Sequence, residues 1–91
     1  MKKRYHIVIA GEVQGVCFRA YTREKAMQLN VCGYVRNLPD ATVEAVIEGE
    51  EAATEKMLQW FYQGSPLSRV EAVHAKEETP THDTKEFRIL Y

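Results

Sequence analysis

The first half of the fold is decided by the stretch Gly11-Glu12-Val13-Gln14-Gly15-Val16-Cys17-Phe18-Arg19. It follows an apolar run rich in β-branched residues, which predicts a strand over residues 4–11. It precedes a helical pattern over residues 18–30, in which one face carries Phe18, Thr22, Ala26 and Leu29. The stretch is therefore predicted to turn the chain from a first strand into a first helix.

The same stretch has the features of an anion site. A glycine-bearing turn that opens a helix presents unpaired backbone N–H groups, which attract anions. Arg19 would lie in the first turn of the helix, where the helix dipole disfavours a cation, unless an anion is bound beside it. We interpret Gln14–Phe18 and Arg19 as a small site for an oxyanion such as phosphate. The alternatives are an ordinary strand-to-helix turn and a solvated arginine paired with a carboxylate.

The rest of the chain predicts four more strands and one more helix. The strands cover residues 32–37, 42–49, 68–77 and 85–90, and the helix covers residues 50–63. A turn at residues 38–41 and a polar loop at residues 78–84 separate them. In the third strand Val43, Ala45 and Ile47 alternate with Glu44 and Glu48, apart from Val46. In the fourth, Val70, Ala72 and His74 are expected on one face, and the second helix has an inward stripe of Thr54, Met57, Leu58 and Phe61.

The order β-α-β-β-α-β, with a short last strand, is that of the ferredoxin-like split β-α-β sandwich, an α+β fold. We expect residues 1–91 to form one domain in which both helices cover one face of a mostly antiparallel sheet. This fold hosts many unrelated functions, so the function has to be argued from the site.

Composition excludes several classes of function. Lysine and arginine number 12 against 13 acidic residues, for a formal net charge of −1, so we expect no nucleic-acid partner. No run approaches the about 20 apolar residues of a membrane span, and no targeting segment is found, which favours a cytoplasmic protein without membrane association. Cys17 and Cys32 are expected to be reduced thiols. The histidines show no metal-ligand spacing.

Asn37 is the second candidate site residue. It ends the second strand, and its side-chain carbonyl can accept a hydrogen bond from water. The alternative is a turn asparagine that satisfies local backbone groups. In a split β-α-β fold, a residue here can approach the end of the first strand and so the Arg19 site.

Two kinds of phosphate chemistry do not fit the residues. A nucleotide P-loop needs a lysine followed by serine or threonine, and Gly15 is followed by neither. A cysteine-dependent phosphatase places its cysteine and arginine at the two ends of one loop, whereas only Phe18 separates Cys17 from Arg19.

The two motifs together resemble the acylphosphatase family. They are the stretch from Gly11 to Arg19 and the run Gly33-Tyr34-Val35-Arg36-Asn37-Leu38-Pro39-Asp40, and the later Gly64-Ser65-Pro66 is similar as well. The resemblance implies a hydrolase for the carboxyl–phosphate bond of acyl phosphates that needs neither metal nor organic cofactor. It implies that the phosphate-binding arginine is Arg19, that the water-positioning asparagine is Asn37, and that the phosphate loop is Gln14, Gly15, Val16, Cys17 and Phe18.

Two positions depart from the family pattern. Asp40-Ala41-Thr42 stands where a glycine turn is common, and because alanine disfavours positive φ we expect another turn type there. Cys17 stands where glycine or another residue is common. Neither departure touches Arg19 or Asn37.

The expected partners are small: an acyl phosphate as substrate, and inorganic phosphate or a similar anion as product and inhibitor, bound by a monomer. We expect a phosphate oxygen of the substrate to take the proton of the attacking water, because neither Arg19 nor Asn37 is a convincing base. A non-catalytic anion-binding module stays open as an alternative. An acylphosphatase-like domain of a larger carbamoyl-transferring protein is disfavoured by the length of the chain, unless the chain is a fragment.

Overall fold

A computed structural model describes residues 1–83 and 85–91. Thr84, at the end of the predicted polar loop, lies outside the described residues. The elements in chain order are β1 (Lys2–Glu12), α1 (Phe18–Gln28), β2 (Cys32–Asn37), β3 (Val43–Glu50), α2 (Glu51–Gln63), β4 (Arg69–Glu78) and β5 (Phe87–Leu90). The predicted elements are confirmed, with differences of one to a few residues at their ends.

The strands form one mixed sheet in the order β4-β1-β3-β2-β5. All neighbours are antiparallel except β2 and β5, which are parallel. As a result β1, β2 and β5 run in the same direction, and their carboxyl ends lie at the same end of the sheet as the start of β4. This end of the sheet therefore carries the loop after β1, Asn37 at the end of β2, and the carboxyl end of the chain.

Both helices pack on the same face of the sheet. The α1 helix covers β2 and β5, and α2 covers β4, β3 and β1. Between the layers lies an apolar core that includes Ile7, Ile9, Val35, Phe18 and Phe61. Burial of these side chains is the main force holding the helices on the sheet. The ferredoxin-like α+β prediction is confirmed.

The first helix ends before the predicted residue 30. Asn30 has a positive φ of 56°, and the N–H of Val31 donates to the carbonyl of Ala26 at 2.9 Å. This closing turn satisfies carbonyls that the helix end would leave unpaired. The predicted helix face is confirmed for Phe18, Thr22 and Ala26, which are buried.

The predicted face of β4 was wrong. The register against β1 shifts between Ala10 and Gly11, and this irregularity turns Val70 and Val73 toward the core, whereas Ala72 and His74 are not among the side chains packed there. Gly11 permits the shift: a Cβ at this position would lie 2.1 Å from the carbonyl oxygen of Arg69. A one-residue bulge of this kind changes which side chains face inward, and strand alternation alone does not reveal it.

Glu48 alternates with the apolar core residues of β3, and its own side chain is only 2% exposed. It accepts hydrogen bonds from the backbone N–H groups of Thr81 and His82, and Arg4 pairs with it at 3.0 Å. Burial raises the pKa of this carboxyl, but the hydrogen bonds and the Arg4 guanidinium outweigh burial and hold it below its ordinary value. Glu48 thus fastens the segment after β4 to the open face of the sheet.

Candidate active site

The loop between β1 and α1 is shaped by two residues with positive φ. Gly15 has a φ of 74° and Cys17 has a φ of 59°, whereas the φ of Val16 between them is not positive. Alternation of this kind turns successive N–H groups toward one side and makes a concave cradle for an anion. A Cβ on Gly15 would meet nothing within 4 Å, so its backbone conformation, and not space, is what favours glycine there.

Two side chains anchor the loop from opposite sides. The Gln14 amide donates to the carbonyls of Leu38 and Thr42, both at 2.8 Å, and so ties the loop to the β2–β3 turn. The Ser65 hydroxyl donates to the carbonyl of Val16 at 3.1 Å from the segment before β4. The loop is thus held in one position relative to the end of β2.

Arg19 lies in the first turn of α1, as predicted, with Cys17 as the N-cap residue. Its Nη1 donates to the carbonyl of Leu90 at 3.0 Å, and its guanidinium lies 4.8 Å from the centre of the Tyr91 ring. Both contacts come from the carboxyl end of the chain. They hold the guanidinium beside the helix N-terminus, where the dipole and the free N–H groups favour an anion.

Asn37 and Arg19 line one cavity. The cavity measures about 320 Å³, and its lining also includes Gly15, Cys17 and Phe18 from the loop. Oδ1 of Asn37 is buried and has no hydrogen-bond partner among the described residues. A buried carbonyl oxygen without a partner costs free energy, so this atom is placed to accept a hydrogen bond from a group that enters the cavity.

Within the described part of the chain, Arg19 is the one lysine or arginine that lines this cavity, and no aspartate, glutamate or histidine side chain lines it. No group of three or more histidine, cysteine, aspartate or glutamate side chains among residues 1–83 and 85–91 is placed to hold a metal ion. The arrangement suits a tetrahedral anion held by backbone N–H groups and a guanidinium, with a water molecule next to Asn37.

The turn that follows Asn37 departs from the expectation for Ala41. Ala41 adopts a positive φ of 73°, so the expectation of another turn type was wrong. The turn is closed by the N–H of Leu38 donating to the Thr42 carbonyl at 2.8 Å, and Oδ1 of Asp40 accepts from the N–H of Thr42 at 3.1 Å. These hydrogen bonds impose the left-handed conformation that alanine alone disfavours.

The two cysteines form no disulfide with each other. Cys17 is exposed in the loop, and its side chain makes no capping hydrogen bond to the helix. The Cys32 thiol donates to the Glu48 carbonyl at 3.3 Å, and burial, with the nearby Glu48 carboxylate, raises its pKa. The expectation of reduced thiols is consistent with this geometry.

Several contacts of the site were not predicted from the sequence. The sequence reasoning treated Gln14 as a backbone donor only and assigned no role to Ser65, Leu90 or Tyr91. The Gly64-Ser65-Pro66 run that ends α2 was a signal for the Ser65 anchor. The contact of Arg19 with Leu90 joins residues 71 positions apart, and no local pattern indicates it.

None of the helices in residues 1–83 and 85–91 is long and apolar enough to cross a membrane.

The acylphosphatase family model matches residues 5–89. An acylphosphatase of Roseiflexus sp. (strain RS-1) is 49% identical over 88 residues, which cover 97% of this chain and 95% of the relative. An acylphosphatase of Syntrophobacter fumaroxidans is 47% identical over 90 residues, which cover 99% and 93%. The crystal structure of acylphosphatase from Bacillus subtilis has a TM-score of 0.94 at 33% identity and covers 100% of both chains. The chain therefore belongs to the acylphosphatase family.

Proposed function

We propose that Arg19 and Asn37 divide the two tasks of acyl phosphate hydrolysis, the reaction of the family to which this chain belongs. In this reaction a water oxygen forms a bond to phosphorus while the bond from phosphorus to the acyl oxygen breaks. The electron pair leaves with the carboxylate, and the other product is inorganic phosphate. A carboxylate is a good leaving group, so the protein's work is positioning and charge stabilisation.

Arg19 and the loop from Gln14 to Phe18 bind the phosphoryl group. The left-handed residues Gly15 and Cys17 turn the backbone N–H groups toward the anion, and the guanidinium offers two parallel donors. Because Leu90 and Tyr91 already hold the Arg19 side chain, little reorganisation is needed when the substrate binds. Preorganised donors of this kind are worth about 3–4 kcal/mol each when removed singly.

Asn37 orients the attacking water. The observation that carries this assignment is its buried Oδ1, which has no partner among the described residues and lines the same cavity as Arg19. A water that donates one hydrogen to Oδ1 keeps its lone pair for the phosphorus.

A phosphoryl oxygen of the substrate takes the proton of the water. Arg19 is always protonated and an asparagine amide is not a base, and no aspartate, glutamate or histidine side chain of the described residues lines the cavity. The proton therefore passes to the oxygen atoms already bound in the loop, and the reaction needs no metal-bound hydroxide.

The test is the hydrolysis of benzoyl phosphate in excess EDTA by wild type, Arg19→Ala and Asn37→Ala, with Arg23→Ala as the matched control. Arg23 is exposed on the same helix and lies outside the lining of the cavity. We expect full turnover in EDTA for wild type and Arg23→Ala, and a loss of about 100- to 1,000-fold in kcat/KM for Arg19→Ala. Asn37→Ala should lose a similar factor in kcat.

Three outcomes would contradict this assignment. A strict metal requirement would remove the metal-free reaction. Turnover by Asn37→Ala at the wild-type rate would remove its role in positioning water. Phosphate binding by wild type without any turnover would favour the alternative of a non-catalytic anion-binding module.

We also propose that residues 1–91 act as one catalytic unit, as a monomer in the cytoplasm. All groups assigned above come from one chain, so no second copy is needed to complete the cavity. Inorganic phosphate should act as product and competitive inhibitor. A sedimentation measurement at the concentration of the assay tests the monomer, because a dimer at that concentration would contradict it.

A further inference from the structure

The peptide group between Val16 and Cys17 lies in the phosphate loop, and only one of its two polar ends has a partner within the described part of the chain. Its carbonyl oxygen accepts a hydrogen bond from the Ser65 hydroxyl at 3.1 Å. Its N–H group has no acceptor among residues 1–83 and 85–91. Cys17 lines the phosphate cavity, whereas Ser65 does not. The carbonyl is therefore held by a residue outside the cavity, and the N–H is available to a ligand.

This arrangement decides where the N–H of Cys17 points. The C=O and N–H bonds of a trans peptide group are fixed in one plane and point in opposite directions. Because the carbonyl of Val16 is turned toward Ser65, the N–H of Cys17 is turned away from Ser65. That is the side of the loop on which Cys17 lines the cavity together with Arg19. The N–H of Cys17 is thus directed to where a phosphoryl group would bind.

The backbone of Cys17 alone does not favour this direction. Its φ of 59° lies in the left-handed region, which a residue with a Cβ disfavours. Rotation of the peptide group between Val16 and Cys17 by about half a turn would bring the φ of Cys17 into the favoured negative range. The same rotation would turn the N–H out of the cavity and break the hydrogen bond to Ser65. The Ser65 hydroxyl therefore opposes the rotation that the backbone of Cys17 favours.

Ser65 is itself fixed by the turn that follows α2. The residue is only 3% exposed, and its carbonyl accepts a hydrogen bond from the N–H of Ser68 at 3.0 Å. Gly64 permits the close turn, because a Cβ at this position would lie 2.9 Å from Cγ2 of Val70. The Ser65 hydroxyl is therefore presented to the loop by a closed, buried turn.

We propose that Ser65 is a positioning residue, whose hydroxyl keeps the N–H of Cys17 directed into the cavity and so sets the affinity for the phosphoryl group. This proposal rests on the phosphate binding assigned to the loop above. When only a fraction of the free protein has this N–H directed inward, the apparent affinity is reduced by that fraction. A bound phosphoryl group itself favours the inward direction, so the rate at saturation is spared.

The experiment compares Ser65→Ala with wild type in the dissociation constant of inorganic phosphate, measured by calorimetry, and in KM and kcat for benzoyl phosphate. We expect the dissociation constant and KM to rise together by about three- to tenfold, the factor that corresponds to one hydrogen bond. We expect kcat to stay within about twofold of wild type. A residue that only supports the fold would lower the free energy of unfolding without this split between KM and kcat.

Ser68→Ala is the matched control, because it removes the same chemical group from the same turn. The Ser68 hydroxyl donates to the carbonyl of Ser65 at 2.7 Å, within the turn. The N–H of Ser68 also donates to that carbonyl, and this hydrogen bond remains in the variant. We expect Ser68→Ala to keep the wild-type KM and phosphate dissociation constant.

The residue at position 17 gives a second, independent test. Glycine adopts a positive φ without penalty, so in Cys17→Gly the inward direction of the N–H depends less on Ser65. Adding Ser65→Ala to Cys17→Gly should therefore weaken phosphate binding by less than about twofold, against about three- to tenfold in the wild-type background. An equal loss in both backgrounds would show that Ser65 does not act through the direction of this N–H, and overturns the proposal.

Two further results overturn the positioning role: unchanged phosphate affinity and KM in Ser65→Ala, and equal losses in Ser65→Ala and Ser68→Ala. Wild type that binds phosphate without hydrolysing benzoyl phosphate contradicts the proposed hydrolysis alone, and the dissociation constants then decide the role of Ser65. Wild type that does not bind phosphate overturns both proposals together.

Discussion

Gln14 links the phosphate loop to the strand end that carries Asn37, so replacing it tests how the fold positions the site. The Gln14 amide makes two hydrogen bonds of 2.8 Å, to the carbonyls of Leu38 and Thr42, and both are partly buried. A hydrogen bond between neutral groups contributes about 1 kcal/mol net. Gln14→Ala should therefore lower the free energy of unfolding by roughly 2 kcal/mol.

The assay is urea unfolding of wild type and Gln14→Ala, with the exposed Gln59→Ala on α2 as the matched control. The midpoint should move while the denaturant slope stays constant, because the surface exposed on unfolding hardly changes. In the same variant kcat should fall more than phosphate affinity, since Leu38 directly follows Asn37 and the loop keeps its Ser65 anchor.

Two results would refute this reasoning. An unfolding free energy within about 0.5 kcal/mol of wild type would mean that the two hydrogen bonds are not formed in solution. An equal loss in Gln59→Ala would mean that the effect comes from removing any glutamine side chain.

Three further predictions follow from contacts of the site and of the sheet. Ala41→Gly should stabilise the protein by about 0.5–1 kcal/mol because glycine adopts the positive φ of 73° without strain. The control Ala52→Gly on α2 should destabilise the protein by about as much. Thermal unfolding measures both changes in stability. Because the folded-state pKa of Glu48 lies below its ordinary value of 4.5, its contribution to stability is present above that pH and is lost as the pH falls through the lowered pKa. Urea unfolding between pH 7 and pH 3 should show this acid loss in wild type and a flatter dependence in Glu48→Gln, and equal slopes would contradict it. Tyr91→Ala removes the ring beside Arg19 and should raise the inhibition constant of inorganic phosphate about two- to fivefold. An unchanged inhibition constant would show that the ring does not position the guanidinium.

The elements and the positions of Arg19 and Asn37 in them could be predicted because their signals are local. The loop from Gly11 to Arg19 combines glycines, a helix start and a cation at the positive end of the dipole within nine residues. Asn37 ends a clear strand just before a proline turn. The sheet order then brings both into one cavity, which confirms that they share a location.

The errors have a common physical origin in interactions that residue propensity and strand alternation do not include. The inward face of β4 depends on a register shift opposite Gly11, which involves a neighbouring strand about 60 residues away in the chain. The conformation of Ala41 is set by hydrogen bonds of the whole turn, which outweigh the preference of the residue. Propensity and alternation describe one segment at a time and do not include these terms.

The central claim is that Arg19 binds the phosphoryl group while Asn37 serves the water. Its most direct test is the dissociation constant of inorganic phosphate, measured by calorimetry for wild type, Arg19→Ala, Asn37→Ala and the control Arg23→Ala. We predict about 100-fold weaker binding in Arg19→Ala and a change of less than about threefold in Asn37→Ala, even though both variants lose turnover. Equal weakening of phosphate binding in Arg19→Ala and Asn37→Ala would contradict the division of roles.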